Sequence, residues 1–120
     1  MEVKNMFNEI CIYEAKLNKE QEIEELMKDV AEFYRKQDGV IDVYYVKRNY
    51  RQKDFNAVKA GEAPIRLTRT TDKVTYVLYW VLENEEVHAG IYPEALARFY
   101  KRWTRCLLTM PKIILGENIV

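Results

Sequence analysis

The sequence is poor in several residue types, and each scarcity excludes a class of protein. Its 120 residues include three prolines and four glycines, too few for a long linker or a low-complexity segment. The two cysteines, Cys11 and Cys106, lie far apart in apolar stretches, which favours small buried side chains over a disulfide framework. Because the N-terminal residues show no apolar core of a secretory signal, we expect a cytoplasmic protein with reduced thiols.

An excess of one charge is also missing, since 19 basic residues face 19 acidic ones. Balanced charge gives no general attraction to nucleic acid or to an anionic membrane, and no apolar run is long enough to span a bilayer. The sequence also contains no glycine-rich phosphate loop, no Ser-His-Asp set, no CxxC and no HExxH. We therefore expect no nucleic-acid or membrane partner, no metal and no other cofactor.

Hydrophobic patterning predicts a single α+β domain over residues 1–120 with the ferredoxin-like order βαββαβ. A first helix is predicted from a cap at Asn18 to Gln37, and Gly39 suits the left-handed residue that ends it. Apolar and aromatic runs bounded by polar residues predict four strands, the last with a bulge at Gly116. These strands are expected at residues 7–17, 40–48, 74–82 and 112–120.

The second helical region contains signals that predict an interruption. Asn84 is expected to cap a first turn that runs through His88, after which Gly90 and Pro93 break the helix. A main helix then continues until Pro111 stops it. Its apolar face is predicted at Leu96, Phe99, Tyr100, Trp103, Leu107 and Met110.

The polar stretch at residues 49–73 is long for a connection inside one domain, which indicates a functional or partly structured segment. A short extra strand is predicted at residues 65–71. Residues 47–73 contain eight basic side chains against three acidic ones, and Arg98, Lys101, Arg102 and Arg105 add a basic side to the second helix. These charges predict either a site for an anionic ligand, such as a carboxylate or phosphate, or a solvated surface.

The predicted strands are apolar on both faces, which a sheet covered on one side only does not need. In the third strand, one face has Val74, Tyr76, Leu78, Trp80 and Leu82, and the other has Thr75, Val77, Tyr79 and Val81. In the second strand the two sets are Ile41, Val43 and Tyr45 against Val40, Tyr44 and Val46. We therefore predict an antiparallel four-stranded sheet with two main helices on one face, packed face to face with a second copy in a homodimeric α/β barrel.

Three stretches of the sequence are similar to one known family. They are the pair Asn8-Glu9 in the first strand, the segment QDGVIDVYYVKR at residues 37–48, and the segment YVLYWVLENEEVHAG at residues 76–90. The last contains Trp80 and, eight residues later, the single histidine, His88. Together they resemble the antibiotic biosynthesis monooxygenase-like proteins of the dimeric α/β-barrel group, and the likeness extends by topology over nearly the whole chain.

The resemblance implies a function that the residues alone do not. The family includes cofactor-independent oxygenases of quinol-like aromatics, so Asn8 and Trp80 are expected to bind and orient a substrate for attack by O₂. His88 completes the candidate catalytic set, because an unperturbed imidazole suits a general base at neutral pH. The haem-degrading members use a histidine on the second helix, and residues 95–106 contain none, which disfavours haem degradation.

Four tyrosines are predicted to bind the substrate in a pocket between sheet and helices or inside the barrel: Tyr13, Tyr44, Tyr76 and Tyr79. Ordinary packing in the core or at the dimer interface is the alternative. Three functional hypotheses follow: a monooxygenase-like enzyme acting on a small aromatic, a non-catalytic ligand-binding or sensing homodimer, and an RNA-binding module. The segment KVTYVLYWV opposes the last, because it lacks the glycines of an RNA recognition motif and has aromatics on both faces.

Overall fold

The computed structural model describes residues 5–68 and 72–120. Along the chain the elements are β1 (Phe7–Lys16), α1 (Glu20–Arg35), β2 (Val40–Lys47), β3 (Tyr50–Arg51), α2 (Phe55–Lys59), β4 (Ile65–Arg66), β5 (Lys73–Leu82), α3 (Glu85–Cys106) and β6 (Lys112–Glu117). Four strands form one antiparallel sheet in the order β2-β5-β1-β6, while β3 and β4 pair separately. The predicted α+β fold with ferredoxin-like order is confirmed.

The two long helices cover one face of the sheet and leave the other open. On the helix-covered face of β5, the alternate residues from Val74 to Leu82 are buried, as are Cys11 and Tyr13 of β1. The opposite face presents Tyr44 of β2 and Tyr79 of β5, both partly exposed. The predicted alternation is therefore present, and the sheet has an apolar face that this chain alone does not cover.

The helix α1 packs its apolar stripe on the sheet and begins differently from the prediction. A 3-10 turn at Leu17–Lys19 precedes it, and its N-cap is Lys19, which makes no side-chain capping bond. Asn18 lies inside that turn rather than at the N-cap, so its predicted capping role is wrong. Gly39 has the predicted positive φ, 87°, but it lies in the turn that follows, because the helix already ends at Arg35 with Lys36 as its C-cap.

The helix α3 is continuous, so the predicted interruption at Gly90 and Pro93 is wrong. Asn84 does cap it, since its side chain accepts a hydrogen bond of 2.9 Å from the Val87 backbone N–H. Pro93 removes one backbone hydrogen bond, but Ile91 on one side of it is buried against the core, and this packing favours the unbroken helix.

The buried face of α3 also differs from the predicted one. It comprises Ile91, Ala95, Phe99 and Cys106. Leu96 and Tyr100, predicted to be buried, are about half exposed, and Met110 lies beyond the helix, which ends at Cys106. Hydrophobic spacing alone could not decide between these faces, because the position of α1 selects the one that is buried.

The only register shift in the ladders between described strands of the main sheet is in β2, not at Gly116. Gly116 pairs regularly with Asn8 in the β1–β6 ladder, so the predicted bulge is wrong. Between Val40 and Asp42 the β2 register shifts by an extra residue, Ile41, which is exposed. Val40 therefore pairs with Leu82 on the helix-covered face, which corrects the predicted grouping of alternate residues in this strand.

The long connection is partly structured. It contains β3, the short helix α2 and β4, and none of residues 49–68 is buried. The predicted strand at residues 65–71 is represented by β4, while residues 69–71, including Arg69, lie outside the described part of the chain. Among the described residues, no helix has the length and apolarity required to cross a membrane.

Candidate functional site

A buried carboxylate and the single histidine form a hydrogen-bonded pair under the helices. Glu9 lies on the helix-covered face of β1 and is 2% exposed. Its Oε1 is 2.7 Å from Nε2 of His88, whose side chain is 14% exposed. The cap at Asn84 fixes the first turn of α3, and this turn places His88 over the strand. A carboxylate in this position orients the imidazole ring and selects its tautomer.

Burial controls the protonation of Glu9. Loss of solvent raises the pKa of this carboxyl above its ordinary value of 4.5. The hydrogen bond and charge of His88, and the nearby Tyr92 hydroxyl, act in the opposite direction. The same environment raises the pKa of Tyr92 to about 12, through burial and then through the charge of Glu9. The pair is thus a place where a proton can be held away from bulk water.

Aromatic rings enclose the pair. The His88 ring lies 5.1 Å from Trp80, 4.9 Å from Tyr92 and 5.0 Å from Phe7, measured between centroids. Trp80 in turn stacks on Tyr34 of α1 at 3.9 Å, with the two ring planes only 7° apart. These contacts join the sheet to both long helices around one polar centre.

Trp80 contributes an unusual polar atom to this enclosure. The residue is 0% exposed, and within the described part of the chain its Nε1–H has no hydrogen-bond partner. An unpartnered buried donor costs roughly 1–3 kcal/mol, and an acceptor on a bound molecule would remove that cost. This indole therefore has a free donor next to the Glu9–His88 pair.

Beside the pair, the helix-covered face is open towards β6. Leu115 pairs with Glu9 and Ile113 with Cys11, so both share the face on which Glu9 lies. Both are about half exposed, as is Leu96, which lies one turn beyond Tyr92 on α3. We call Leu96, Ile113 and Leu115 the apolar shelf.

The structure separates two of the predicted catalytic residues. Asn8 precedes Glu9 and faces the opposite side of the sheet, where its side-chain amide donates a hydrogen bond of 2.6 Å to Oδ1 of Asn118. Trp80 and His88 lie together on the helix-covered side. Within one chain, Asn8 and Trp80 therefore do not line a common pocket, and the catalytic role of each stays a prediction.

The four tyrosines predicted to bind substrate fall in different places. Tyr13 is buried and stacks on Trp103 at 4.7 Å. Tyr44 and Tyr79 stack on each other at 5.3 Å on the open face of the sheet. Tyr76 is buried, and its hydroxyl donates a hydrogen bond of 2.8 Å to the carboxylate of Glu24. None of the four is in a ring contact with His88 in the described structure.

A concave groove lies away from the Glu9–His88 pair, between α1 and the edge strand β2. This groove has a volume of about 540 Å³, and two of the predicted tyrosines, Tyr44 and Tyr76, line it together with Tyr45. Part of its polar rim is already paired, because Lys47 contacts Glu24 at 2.7 Å. The groove lacks a histidine and does not include the Glu9–His88 pair.

The basic side of α3 is largely neutralised within the chain. Arg102 pairs with Asp29 of α1 at 2.9 Å, and Arg98 pairs with Glu94 at 3.1 Å. Arg105 likewise contacts a carboxylate of α1. These arginines fix the helices to each other or cap their own surface, which favours the solvated interpretation of this side. In the described residues, no group of three or more metal-ligating side chains could hold a metal ion.

The carboxylate at the centre of this site is not among the predicted site residues. Glu9 is the neighbour of Asn8 in the family resemblance, although it shares the alternation of Cys11 and Tyr13 on the helix-covered face. Tyr92 lies four residues after His88, a spacing that puts the two on one side of a helix. That spacing was the available signal, and the predicted break at Pro93 obscured it.

Comparison with known proteins identifies the fold. Neither a protein-family model nor a curated protein matches the sequence. Among solved structures, a Nitrosomonas europaea protein provisionally named an antibiotic biosynthesis monooxygenase is similar at TM-score 0.69, with 11% identity over 99% of this chain and 95% of that chain. SnoaB from Streptomyces nogalater, a cofactor-independent oxygenase, is similar at TM-score 0.61 and 11% identity, covering 97% of each chain.

A protein of unknown function from Nitrosomonas europaea is equally similar in shape, at TM-score 0.69 and 10% identity over 99% of this chain and 94% of that chain. The chain therefore has the fold of the antibiotic biosynthesis monooxygenase-like proteins, as the resemblance implied. At these identities the likeness establishes the fold alone.

Proposed function

We propose that this protein is a cofactor-independent, monooxygenase-like enzyme that oxidises a small, quinol-like aromatic. The observation that supports this most is the Glu9–His88 pair, a buried proton acceptor enclosed by Trp80 and Tyr92. A general base in an aromatic enclosure suits deprotonation of a planar phenolic substrate. The fold shared with SnoaB, a cofactor-independent oxygenase, agrees with this chemistry.

In the proposed reaction, His88 removes a proton from the substrate while Glu9 holds the imidazole in place. The resulting electron-rich anion reduces O₂, and a carbon–oxygen bond forms at the activated carbon. Cleavage of the oxygen–oxygen bond then releases one oxygen atom as water, so a CH₂ group and O₂ yield a carbonyl and H₂O. The substrate supplies all four electrons, which is why the reaction requires no separate reductant.

The apolar shelf is the proposed substrate platform. A flat aromatic lying on Leu96 and Leu115 would bring its acidic proton next to the accessible edge of His88. The unpartnered Nε1–H of Trp80 would donate to a substrate oxygen that enters the aromatic enclosure, as negative charge develops there. The substrate class proposed is thus apolar, planar and phenolic.

Oxygen uptake tests the proposal. The purified protein would be supplied with naphthoquinols and anthrones, and uptake compared with that of His88→Gln. We expect His88→Gln to lose about 10²–10⁴-fold in turnover, as general-base removal does. The matched control is Glu14→Gln. Glu14 lies on β1, as Glu9 does, but its carboxylate pairs with Lys73 on the open side of the sheet. Equal turnover in the wild type and His88→Gln would reject His88 as the base.

Asn8→Ala distinguishes two locations for the site. If the site lies under the helices, Asn8→Ala retains turnover, because Asn8 faces the other side of the sheet. If Asn8→Ala abolishes turnover while Trp80→Phe does not, substrate binds between the two sheets of a dimer. Either result decides the role of Asn8 that the family resemblance implied.

A non-catalytic ligand-binding dimer is the second candidate, and the burial of the site favours it. Trp80 is fully buried and Glu9 nearly so, which suits retention of a ligand better than rapid exchange. A native mass spectrum of the purified protein that shows a retained small molecule, with no oxygen uptake on any substrate, would select this function.

We further propose that the protein is a homodimer joined through the open sheet face, and that it acts in the cytoplasm. Side chains from every strand of the main sheet line this face, including Ile10, Tyr44, Tyr79 and Ile114. Burying each such side chain contributes about 1.5–3 kcal/mol. Native mass spectrometry should give two chains for the wild type and one for Tyr79→Glu. A wild-type monomer at all concentrations would reject the dimer.

A further inference from the structure

We propose that residues 49–68, which we call the arm, dock on a second copy of this chain. This inference rests on the proposed homodimer and adds an interface outside the sheet. The arm leaves the main sheet after β2 and returns to it at β5. It comprises β3, α2 and β4, and the chain has no other excursion of this kind among its described residues.

The arm is ordered by its own contacts. Tyr50 pairs with Arg66 in the β3–β4 ladder, and the Leu67 backbone N–H donates 2.7 Å to the Asn49 carbonyl. Lys53 forms an ion pair with Glu62 at 2.8 Å. Every hydrogen bond and ion pair described for residues 49–68 joins two residues of the arm itself. The segment is therefore a defined structure rather than a loose connection.

The arm nevertheless has no core. None of its residues is buried, and its largest apolar side chain, Phe55, is 75% exposed. Tyr50 is about half exposed, and Val58, one turn after Phe55 on α2, is also exposed. Ordering about twenty residues costs conformational entropy that burial normally offsets. An ordered segment that leaves its largest apolar side chains exposed is expected when another surface covers it.

Continuity favours a second copy as that surface. The arm joins β2 and β5, the two strands whose outward residues Tyr44 and Tyr79 form part of the open sheet face. One partner placed on that face would thus lie next to the arm as well. A copy of the same chain meets both requirements through one two-fold axis.

Charge disfavours the other classes of partner. The arm has four basic and two acidic residues. An excess of two positive charges is small for a nucleic-acid or membrane surface, which typically uses clusters of about four to eight Lys and Arg.

The test is the dimer dissociation constant, measured by sedimentation over a dilution series. The double variant Phe55→Ser/Val58→Ser should dimerise at least about 10-fold more weakly, since it removes two apolar groups from the proposed contact. Met110→Ser is the control, because Met110 is also exposed, at 87% against 75% for Phe55, but lies outside the arm, and the dissociation constant of this variant should not change. Both variants alter exposed side chains only, so thermal unfolding should confirm an intact fold.

Hydrogen exchange gives a second readout that does not depend on a variant. Backbone amides of α2 should exchange more slowly at protein concentrations where the dimer forms. Unchanged exchange together with an unchanged dissociation constant in Phe55→Ser/Val58→Ser would overturn the arm contact. If Tyr79→Glu still abolished the dimer, the sheet interface would stand without the arm.

Other partners are separate outcomes of the same design. The protein can be tested for binding to phosphatidylserine vesicles and to single-stranded RNA. If Phe55→Ser/Val58→Ser loses such binding while its dimerisation is unaffected, the arm belongs to that partner and the proposal is overturned. A wild-type monomer at every concentration would overturn both interfaces. The proposed enzyme would still be tested by comparing oxygen uptake of that monomer with oxygen uptake of His88→Gln. The proposed function and the proposed arm contact can therefore fail independently of each other.

Discussion

Replacing Glu9 with glutamine should remove a pH-dependent loss of stability that the buried carboxylate imposes on the protein. Glutamine keeps the shape of the side chain and can still hydrogen-bond to His88, but it cannot ionise. Burial raises the pKa of Glu9 in the folded state above its ordinary value of 4.5. The folded protein therefore holds a proton that the unfolded chain releases as the pH rises past that value.

The sign and size of the effect follow from this difference. The stabilisation from Glu9 is complete below pH 4.5, its ordinary pKa. It then declines as the pH rises towards the higher pKa of the folded state, by at most about 1.4 kcal/mol per pH unit. Above the folded pKa the loss is constant. The free energy of unfolding of the wild type, minus that of Glu9→Gln, should thus fall with pH and then level off.

Urea unfolding followed by tryptophan fluorescence measures this difference, from about pH 4 to about pH 8. Glu14→Gln serves as the control, since it removes only an exposed ion pair with Lys73, which contributes little to stability. A difference between wild type and Glu9→Gln that rises with pH would refute the reasoning. It would mean that the charge of His88 outweighs burial and keeps Glu9 ionised in the folded state.

Three further predictions concern the frame around the site. Gly39→Ala should lower the free energy of unfolding by about 2–4 kcal/mol, because φ is positive and the new Cβ would lie 2.7 Å from a methyl of Val87. Gly61→Ala is the control, and it should cost no more than about 1–2 kcal/mol, because Gly61 has a positive φ but open space around it. Asn84→Ala should cost about 1 kcal/mol through loss of the α3 cap, measured by urea unfolding. Trp80→Phe should cost about 1–3 kcal/mol, which is less than the loss of stacking alone suggests, because the substitution also removes an unpartnered N–H. If thermal unfolding shows equal stability for Trp80→Phe and the wild type, the indole packs loosely.

Local signals in the sequence predicted the frame of the molecule well. Alternation in the third strand predicted β5 almost to the residue, and Gly39 and Asn84 were correctly predicted as a left-handed residue and a helix N-cap. Each of these signals acts over a few residues, so no knowledge of the distant chain is required. Pro93 misled the prediction because the packing of Ile91 against the core is a tertiary effect.

The candidate site depends on contacts that the sequence does not display. Glu9 and His88 are 79 residues apart, and only the antiparallel pairing of β1 with β5 brings them together. A carboxylate in a strand is ordinarily expected to face water, so the position of Glu9 near Cys11 on the buried face is the opposite of what its charge predicts. Of the arm, the sequence predicted a partly structured segment and the strand β4, whereas β3 and α2 left no periodic apolar signal.

Strand β1 links the proposed site to the proposed assembly. Both faces of this strand are apolar, with Cys11 and Tyr13 towards the helices and Ile10 on the open side, so the pattern alone does not determine which of Asn8 and Glu9 faces the helices. A hydrophobic residue at position 9 would pack more favourably than a buried carboxylate, which points to a use for the charge beyond stability. Because Glu9 is adjacent to two open-face residues of the same strand, separating the dimer should loosen β1 and weaken the Glu9–His88 contact. Oxygen uptake that falls on dilution in parallel with dimer dissociation would be the expected consequence, whereas uptake per chain that is independent of dilution would show that each domain acts alone.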